Sequence, residues 1–345
     1  MRHPVSRTTP YTHPRRRPGP PAGRLWKGGT VDDERRTATP PGPPPGPPAG
    51  PRDPGDAWAY GDDGTKAWGR FGAAGLLIDD GHGRVLLQHR VEWSHHGGTW
   101  GIPGGARHQH EDPVTAALRE SAEEAGVPED GVDLRHTAVL DLGFWTYTTV
   151  VGRASRPFEP VVADRESLAL SWVPVADVET LPLHPGFGDS WPALRATLDR
   201  TPHVVVDAAN VVGSVPDGWW KDRAGAASRL VAQATALAAA GVPADALDLP
   251  SAAWWPRWTV VLEGEARSAT VGPVAADARP GTPAVTVAHA AGSGDDAIVE
   301  AAGAAVAAGD GPVVVVTADR GLRERVTAVG AQVRGPSWLR ELLPD

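Results

Sequence analysis

The 345-residue chain contains no cysteine, which excludes disulfides, zinc-thiolate centres and thiol nucleophiles and leaves stability to ordinary packed cores. It also lacks an apolar run long enough to cross a membrane, and its arginine-rich start lacks the apolar segment of a secretory signal. A soluble cytoplasmic protein is the expectation. Positive charge is not in surplus either: a net charge of −9 argues against a uniformly basic nucleic-acid binder, while leaving room for a local basic groove. Residues 1–66 are short of aliphatic side chains and rich in proline, glycine and arginine, with Pro40-Pro41-Gly42-Pro43-Pro44-Pro45-Gly46-Pro47-Pro48 at their centre. Such a stretch cannot bury a core, so a disordered, partly polyproline-II leader is expected. The run Arg15-Arg16-Arg17 is a weak signal for contact with acidic surfaces or nucleic acid.

What is present is organised around residues 105–127. Asp112 suits a helix N-cap, Pro113 the first helical position and Gly126 a C-terminal stop, which predicts a helix between them. Val114, Ala117, Leu118, Ser121 and Ala125 recur at helical spacing as a face for packing on a sheet, and Glu120, Glu123 and Glu124 gather on another face. Like charges at these spacings repel, an arrangement that makes more sense if a hard divalent cation such as Mg²⁺ or Mn²⁺ neutralises them. Arg119, one turn before Glu123, is placed to orient a carboxylate. A plain acidic surface helix with one salt bridge is the competing reading. Pro103-Gly104-Gly105 supplies a loop whose backbone can approach a ligand closely, with a carbonyl free for a metal.

With those flanks the stretch resembles the Nudix box, G-x5-E-x7-R-E-U-x-E-E-x-G-U. Gly105, Glu111, Arg119, Glu120, Glu123, Glu124, Gly126 and Val127 fit its fixed positions, and only Ser121 departs, standing where a bulky apolar residue is wanted. The resemblance implies a pyrophosphohydrolase acting on a nucleoside diphosphate linked to another moiety. It further implies that Glu120, Glu123, Glu124 and the Gly104 carbonyl hold Mg²⁺ (or Mn²⁺), with Glu124, or Glu166 from its loop, taking the proton. Strands are expected at 71–78, 84–89, 137–142, 145–154 and 168–175, with a short helix at 190–198, which together describe an α/β sandwich over 67–200. Arg90, His95 and His96 precede the glycine loop and are placed to contact phosphates or a base, although histidines in a glycine-rich loop are more often simply solvated. Trp172 reads as core.

From Pro202 strands and helices alternate, indicating a doubly wound α/β domain over 202–345. Asp207 closes a β-branched run, Asp295 and Asp296 open a helix after Gly292-Ser293-Gly294, and Asp319 follows the valines of 313–316. If the strands are parallel neighbours, these carboxylates meet at one sheet edge, where they would hold one or two Mg²⁺ or Mn²⁺ ions. Helix caps and turn aspartates of a generic α/β domain are the alternative. The pattern resembles the PIN-like nucleases, in particular the NYN/YacP-like branch, and that resemblance implies metal-dependent cleavage of single-stranded RNA. Two rivals stand beside a fused hydrolase: a nucleotide sensor that does not cleave, and an RNA-end-processing protein whose main activity is C-terminal.

Overall fold

In the computed structural model the described residues are 53–344, apart from 129, 164, 217 and 271–280. The proline tract and the arginine run of the expected leader lie outside them. The end of that stretch is not leader, however. Strands β1 (Trp58–Tyr60) and β2 (Lys66–Trp68) form an antiparallel hairpin in which Trp58 faces Trp68 across the strands, with ring centroids 5.3 Å apart, and the Lys66 ammonium lies 4.5 Å from the Trp58 ring. Paired aromatics with a cation give a two-stranded element the contact area that its missing aliphatics do not.

The next strands follow the expected hydrophobic runs closely. They are β3 (Ala73–Asp79), β4 (Arg84–Arg90), β5 (Trp100–Gly101), β6 (Gly104–Ala106), β7 (Val132–Asp141), β8 (Thr146–Ala154) and β9 (Ser167–Pro174). Helix α1 (Pro113–Ala125) covers one face of their sheet, burying Val114, Ala117 and Ala125 against Leu76, Ile78 and Val150. Helix α2 (Pro185–Thr197), five residues earlier in its start than the spacing predicts, covers the other face, with Trp191 and Leu194 against Leu77, Leu87 and Val151. The alternation of Leu76 and Ile78 to one side and Leu77 to the other is the period of two that a strand buried on both faces requires. Trp172 is partly buried on the α1 side, 5.4 Å from the ring of Phe158.

The C-terminal half is built on five parallel strands: β10 (His203–Asp207), β13 (Arg257–Leu262), β14 (Val285–His289), β15 (Val313–Val316) and β16 (Gln332–Arg334), in the spatial order β14-β13-β10-β15-β16. Helices α4 (Arg223–Ala240) and α7 (Pro336–Leu342) pack on one face through Leu230, Ala234 and Leu339 over Val204, Val206 and Val260. Helices α5 (Gly294–Ala308) and α6 (Arg320–Ala328) pack on the other through Ile298, Ala302 and Leu322 over Val205, Val261 and Val315. The strand order reverses between β10 and β15, where an open sheet of this kind leaves a crevice at its carboxyl edge. A short helix α3 (Ala208–Gly213) follows β10 directly.

The two halves were expected to have separate cores, divided at 200–202. The sheets are not so divided. Two short strands of the C-terminal half, β11 (Val242–Pro243) and β12 (Ala253–Trp254), extend the N-terminal sheet at its β7 edge, with Trp254 opposite His136 and Ala253 opposite Thr137. Trp254 enters the C-terminal core and its neighbour Trp255 the N-terminal one. An exposed β7 would have offered a row of unpaired amides to any other chain, and these strands cover its middle, at His136 and Thr137, within the molecule;.

Candidate active site

Helix α1 begins and ends as its sequence dictates. The Asp112 carboxylate accepts from the amides of Val114 (3.0 Å) and Thr115 (3.2 Å), and Gly126 takes the left-handed conformation (φ 66°) that lets its amide reach the Ala122 carbonyl;. Ser121, the one departure from the motif, is fully buried and returns its hydroxyl to the Leu118 carbonyl at 2.9 Å, so the polar substitution carries its own partner;.

The three glutamates of α1 do not share one face. Glu124 turns inward, is buried, and accepts from the Gly104 amide at 2.9 Å. Glu123 stays exposed, and Glu120 lies between them beside the glycine loop. The loop needs glycine at Gly104 for space: a Cβ there would stand 2.5 Å from the Ala74 carbonyl oxygen. Arg119 ties the cluster together. Its guanidinium donates to both oxygens of Glu111 (2.8 and 3.0 Å), to Glu120 (2.8 Å), to Glu123 (3.3 Å) and to the Ala106 carbonyl (3.2 Å). Glu111 in turn accepts from the His108 amide at 2.9 Å, and its carbonyl holds Arg107.

Electrostatics sort these groups. Burial pushes the Glu120 carboxyl up to about 6 against the pull of Arg119, and Glu123 and Asp56 push the same way. Burial also acts upward on Glu111, but the Arg119 bonds outweigh it and hold that carboxyl below its ordinary range. Asp56 belongs to the stretch read as leader, and nothing in its local sequence pairs it with Glu120. Glu166 sits immediately before β9, and its carbonyl receives the Val91 amide at 2.9 Å, beside the end of β4. Arg90 donates to the His95 carbonyl at 3.3 Å, and His95 and His96 pack edge to face against one another. Tyr147, on β8, is partly buried, and burial raises its phenol, with Glu124 and Glu120 acting in the same sense.

At the carboxyl edge of the C-terminal sheet, Asp207 accepts from the Asn210 amide (3.0 Å) and the Thr317 hydroxyl (2.8 Å), and Asn210 accepts from the Ala318 amide (2.8 Å). Burial raises the Asp207 carboxyl, with Asp295 and Glu263 adding to the effect; Asp295 is raised by burial and by Asp319. The pair at the start of α5 therefore divides. Asp295 senses the other carboxylates, whereas Asp296 binds Arg325 at 2.5 Å. Glu263, which accepts from the Gly294 amide at 2.9 Å, is an additional member. It follows a Val-Val-Leu run just as Asp207 follows its valines, the signal by which it could have been found. Asp319 caps α6 through the Leu322 amide at 2.7 Å.

Among the described residues, neither acidic set brings three ligand atoms within 4.8 Å of one another; the one group of His, Asp and Glu side chains that does is His95, His96 and His184.

The arrangement is a mixed α/β sandwich whose glycine loop faces an arginine-bound glutamate helix, and the sequence profile of the NUDIX domain matches residues 69–195. A "Putative 8-oxo-dGTP diphosphatase 3" of Mycobacterium tuberculosis is 49% identical over 161 residues, covering 44% of this chain and 74% of that protein. A "Nucleoside triphosphate pyrophosphatase/Nudix hydrolase fusion protein" of Bifidobacterium longum is 41% identical over 155 residues, 43% of this chain and 32% of that one. The crystal structure of a Nudix hydrolase from M. smegmatis, RenU, is 47% identical and covers 41% of this chain and 94% of that chain, with a TM-score of 0.39. The chain belongs to the Nudix family.

Proposed function

We propose that the N-terminal half hydrolyses the pyrophosphate linkage of a nucleoside diphosphate joined to another moiety, and that the observation carrying this is the Arg119 clamp on Glu111, Glu120 and Glu123 beside the Glu124–Gly104 contact. The donors gathered there are all oxygen, and a glutamate whose burial disfavours its own charge is suited to receive a cation, so the residues fit Mg²⁺ or Mn²⁺. Glu120, Glu123, Glu124 and the Gly104 carbonyl would hold the ion. Once bound, it supplies charge neutralisation on the phosphates and a more acidic water. Arg119 keeps the carboxylates in place without competing for substrate. Glu124, or Glu166 from its loop, takes the proton from the attacking water. The relatives named for 8-oxo-dGTP support a purine nucleoside triphosphate as the first substrate to try. The test is a screen of nucleoside triphosphates, 8-oxo-dGTP among them, nucleotide sugars and dinucleotides for Mg²⁺-dependent release of phosphorylated products. Hydrolysis of none of them in Mg²⁺ or Mn²⁺ would leave a nucleotide sensor instead.

A second reading concerns the C-terminal half. Asp207, Asp295, Asp319 and Glu263 influence one another where the strand order reverses, and this supports a PIN-like, NYN-type metal-dependent nuclease acting on single-stranded RNA;. Incubation with labelled single-stranded RNA and Mn²⁺ should give cleavage that Asp207→Asn abolishes and Glu124→Gln leaves intact. Cleavage unaffected by Asp207→Asn would place the activity elsewhere.

A further inference from the structure

His95, His96 and His184 come from two separate segments and have no part in the acidic chemistry of α1. Each offers a ring nitrogen, and the three nitrogens lie within 4.8 Å of one another. The ring centroids of His95 and His96 are 4.1 Å apart and those of His96 and His184 are 4.8 Å apart. Among the described residues, none of these rings has a hydrogen-bond partner, which is unusual for three imidazoles standing together and leaves their lone pairs available.

The backbone holds this arrangement more firmly than an exposed loop needs. His96 adopts a left-handed conformation (φ 55°), which folds two successive side chains toward one side of the loop. The loop is pinned from Gly97 amide to Ser94 carbonyl (2.9 Å), from Gly98 amide to Arg90 carbonyl (3.0 Å) and from Thr99 hydroxyl to His96 carbonyl (2.6 Å). On the other side, the His184 amide donates to the Trp100 carbonyl (2.7 Å) and its own carbonyl receives the Gly188 amide (2.8 Å). Burial, Arg90 and the neighbouring histidines push His184 down to about 4, and burial, His96, Arg90 and Lys66 lower His95. The unprotonated imidazole is the form that ligates metals.

We propose that His95, His96 and His184 form a binding site for a borderline transition-metal cation, Zn²⁺ being the representative, distinct from the glutamate site. Imidazole nitrogen suits Zn²⁺ and not Mg²⁺, whose ligands are oxygens. Zinc–nitrogen bonds of about 2.0–2.1 Å place tetrahedral ligands about 3.4 Å apart. The ring spacing reaches that by rotation of the exposed His95 and His96 side chains, with no movement of the pinned backbone. Three protein ligands leave a fourth position to water. Arg90 and Lys66 oppose a cation, but each is engaged elsewhere, the Arg90 guanidinium by the His95 carbonyl (3.3 Å) and the Lys66 ammonium by the Trp58 ring (4.5 Å). The bound ion clasps the β4–β5 loop to the chain entering α2, a rim that backbone hydrogen bonds join at Trp100.

The test uses the full chain without a polyhistidine tag, titrated with Zn²⁺ against a chromophoric chelator in excess Mg²⁺ so that the carboxylate sites are filled. One equivalent of Zn²⁺ should bind, and Co²⁺ in its place should give the visible absorption of a low-symmetry nitrogen site. His96→Gln and His184→Gln, each shown to be folded by circular dichroism, should weaken binding at least about tenfold. His82→Gln, on a remote turn, should not. Zn²⁺ should raise the melting temperature of the parent chain and not that of His184→Gln. Absence of Zn²⁺ binding, or binding that both variants retain in full, overturns the site; so does Zn²⁺-independent binding of inorganic phosphate lost in the same variants, which would assign the cluster to an anion.

Discussion

Arg119 makes five contacts from one planar group, which only a guanidinium can supply;. Lysine in its place would reach at most part of that set, so Arg119→Lys should leave the fold intact and lower turnover about tenfold or more. Arg119→Ala should also cost about 2 kcal/mol of stability, once the partial exposure of the pairs is discounted. Urea unfolding of both variants beside a turnover assay separates the two effects. Glu123→Gln and Glu124→Gln each remove one charge and almost no volume, and turnover in saturating Mg²⁺ should fall by orders of magnitude with an unchanged far-ultraviolet spectrum. Near-parental turnover in both would remove them from the chemistry.

Among the elements, β7 is the one whose surroundings depend on both halves of the chain. His136 on this strand is buried against Trp254, 4.4 Å between ring centroids, and among the described residues neither ring nitrogen has a partner. Burial, helped by Arg135, pushes it down to about 4. A histidine whose folded value lies below its unfolded one binds its proton more readily when unfolded. Its contribution is thus fully present above about 6.5 and is lost progressively as the pH falls toward about 4, a difference of about 3 kcal/mol. His136→Phe keeps the stack and removes the titration. The variant should lose less stability than the parent between pH 6.5 and 4.5 in thermal melts; parallel curves would show that His136 is not responsible. The sequence foretold β7 only from 137, because 132–136 reads Val-Asp-Leu-Arg-His, whose polar residues break the apolar alternation. Arg135 and His136 are nonetheless buried, His136 by Trp254, more than a hundred positions away. The helix α1, by contrast, was legible in its caps and its spacing, since both ends are fixed by local contacts. What the spacing could not tell was that Glu124 faces inward, a choice made by the Gly104 amide.

For the whole molecule, the sheet crossing residue 200 decides what can be cut. Removing residues 202–345 strips β12 from β7 and Trp255 from the N-terminal core. A fragment of residues 53–200 should therefore melt lower than the same half in the full chain, or associate as concentration rises. Trp255→Ala in the full chain should cost about 3 kcal/mol, measured by denaturant unfolding, with turnover at low temperature unchanged because no site carboxylate is touched. A fragment as stable as the full chain would show that the shared edge contributes nothing. No helix among the described residues is long and apolar enough to cross a membrane.

Trp254 and Trp255 face opposite cores from adjacent positions, and this has a consequence for synthesis on the ribosome. The N-terminal half emerges more than fifty residues before the strand that closes its edge, so for several seconds at ordinary elongation rates the nascent sheet is open. During that interval its β7 edge is accessible to other nascent chains or to a chaperone. The late pairing is long-range and hence slow to form. Completion of the enzyme-bearing half thus waits on translation of its neighbour, and a chain truncated between 200 and 253 would be released with its edge unsealed.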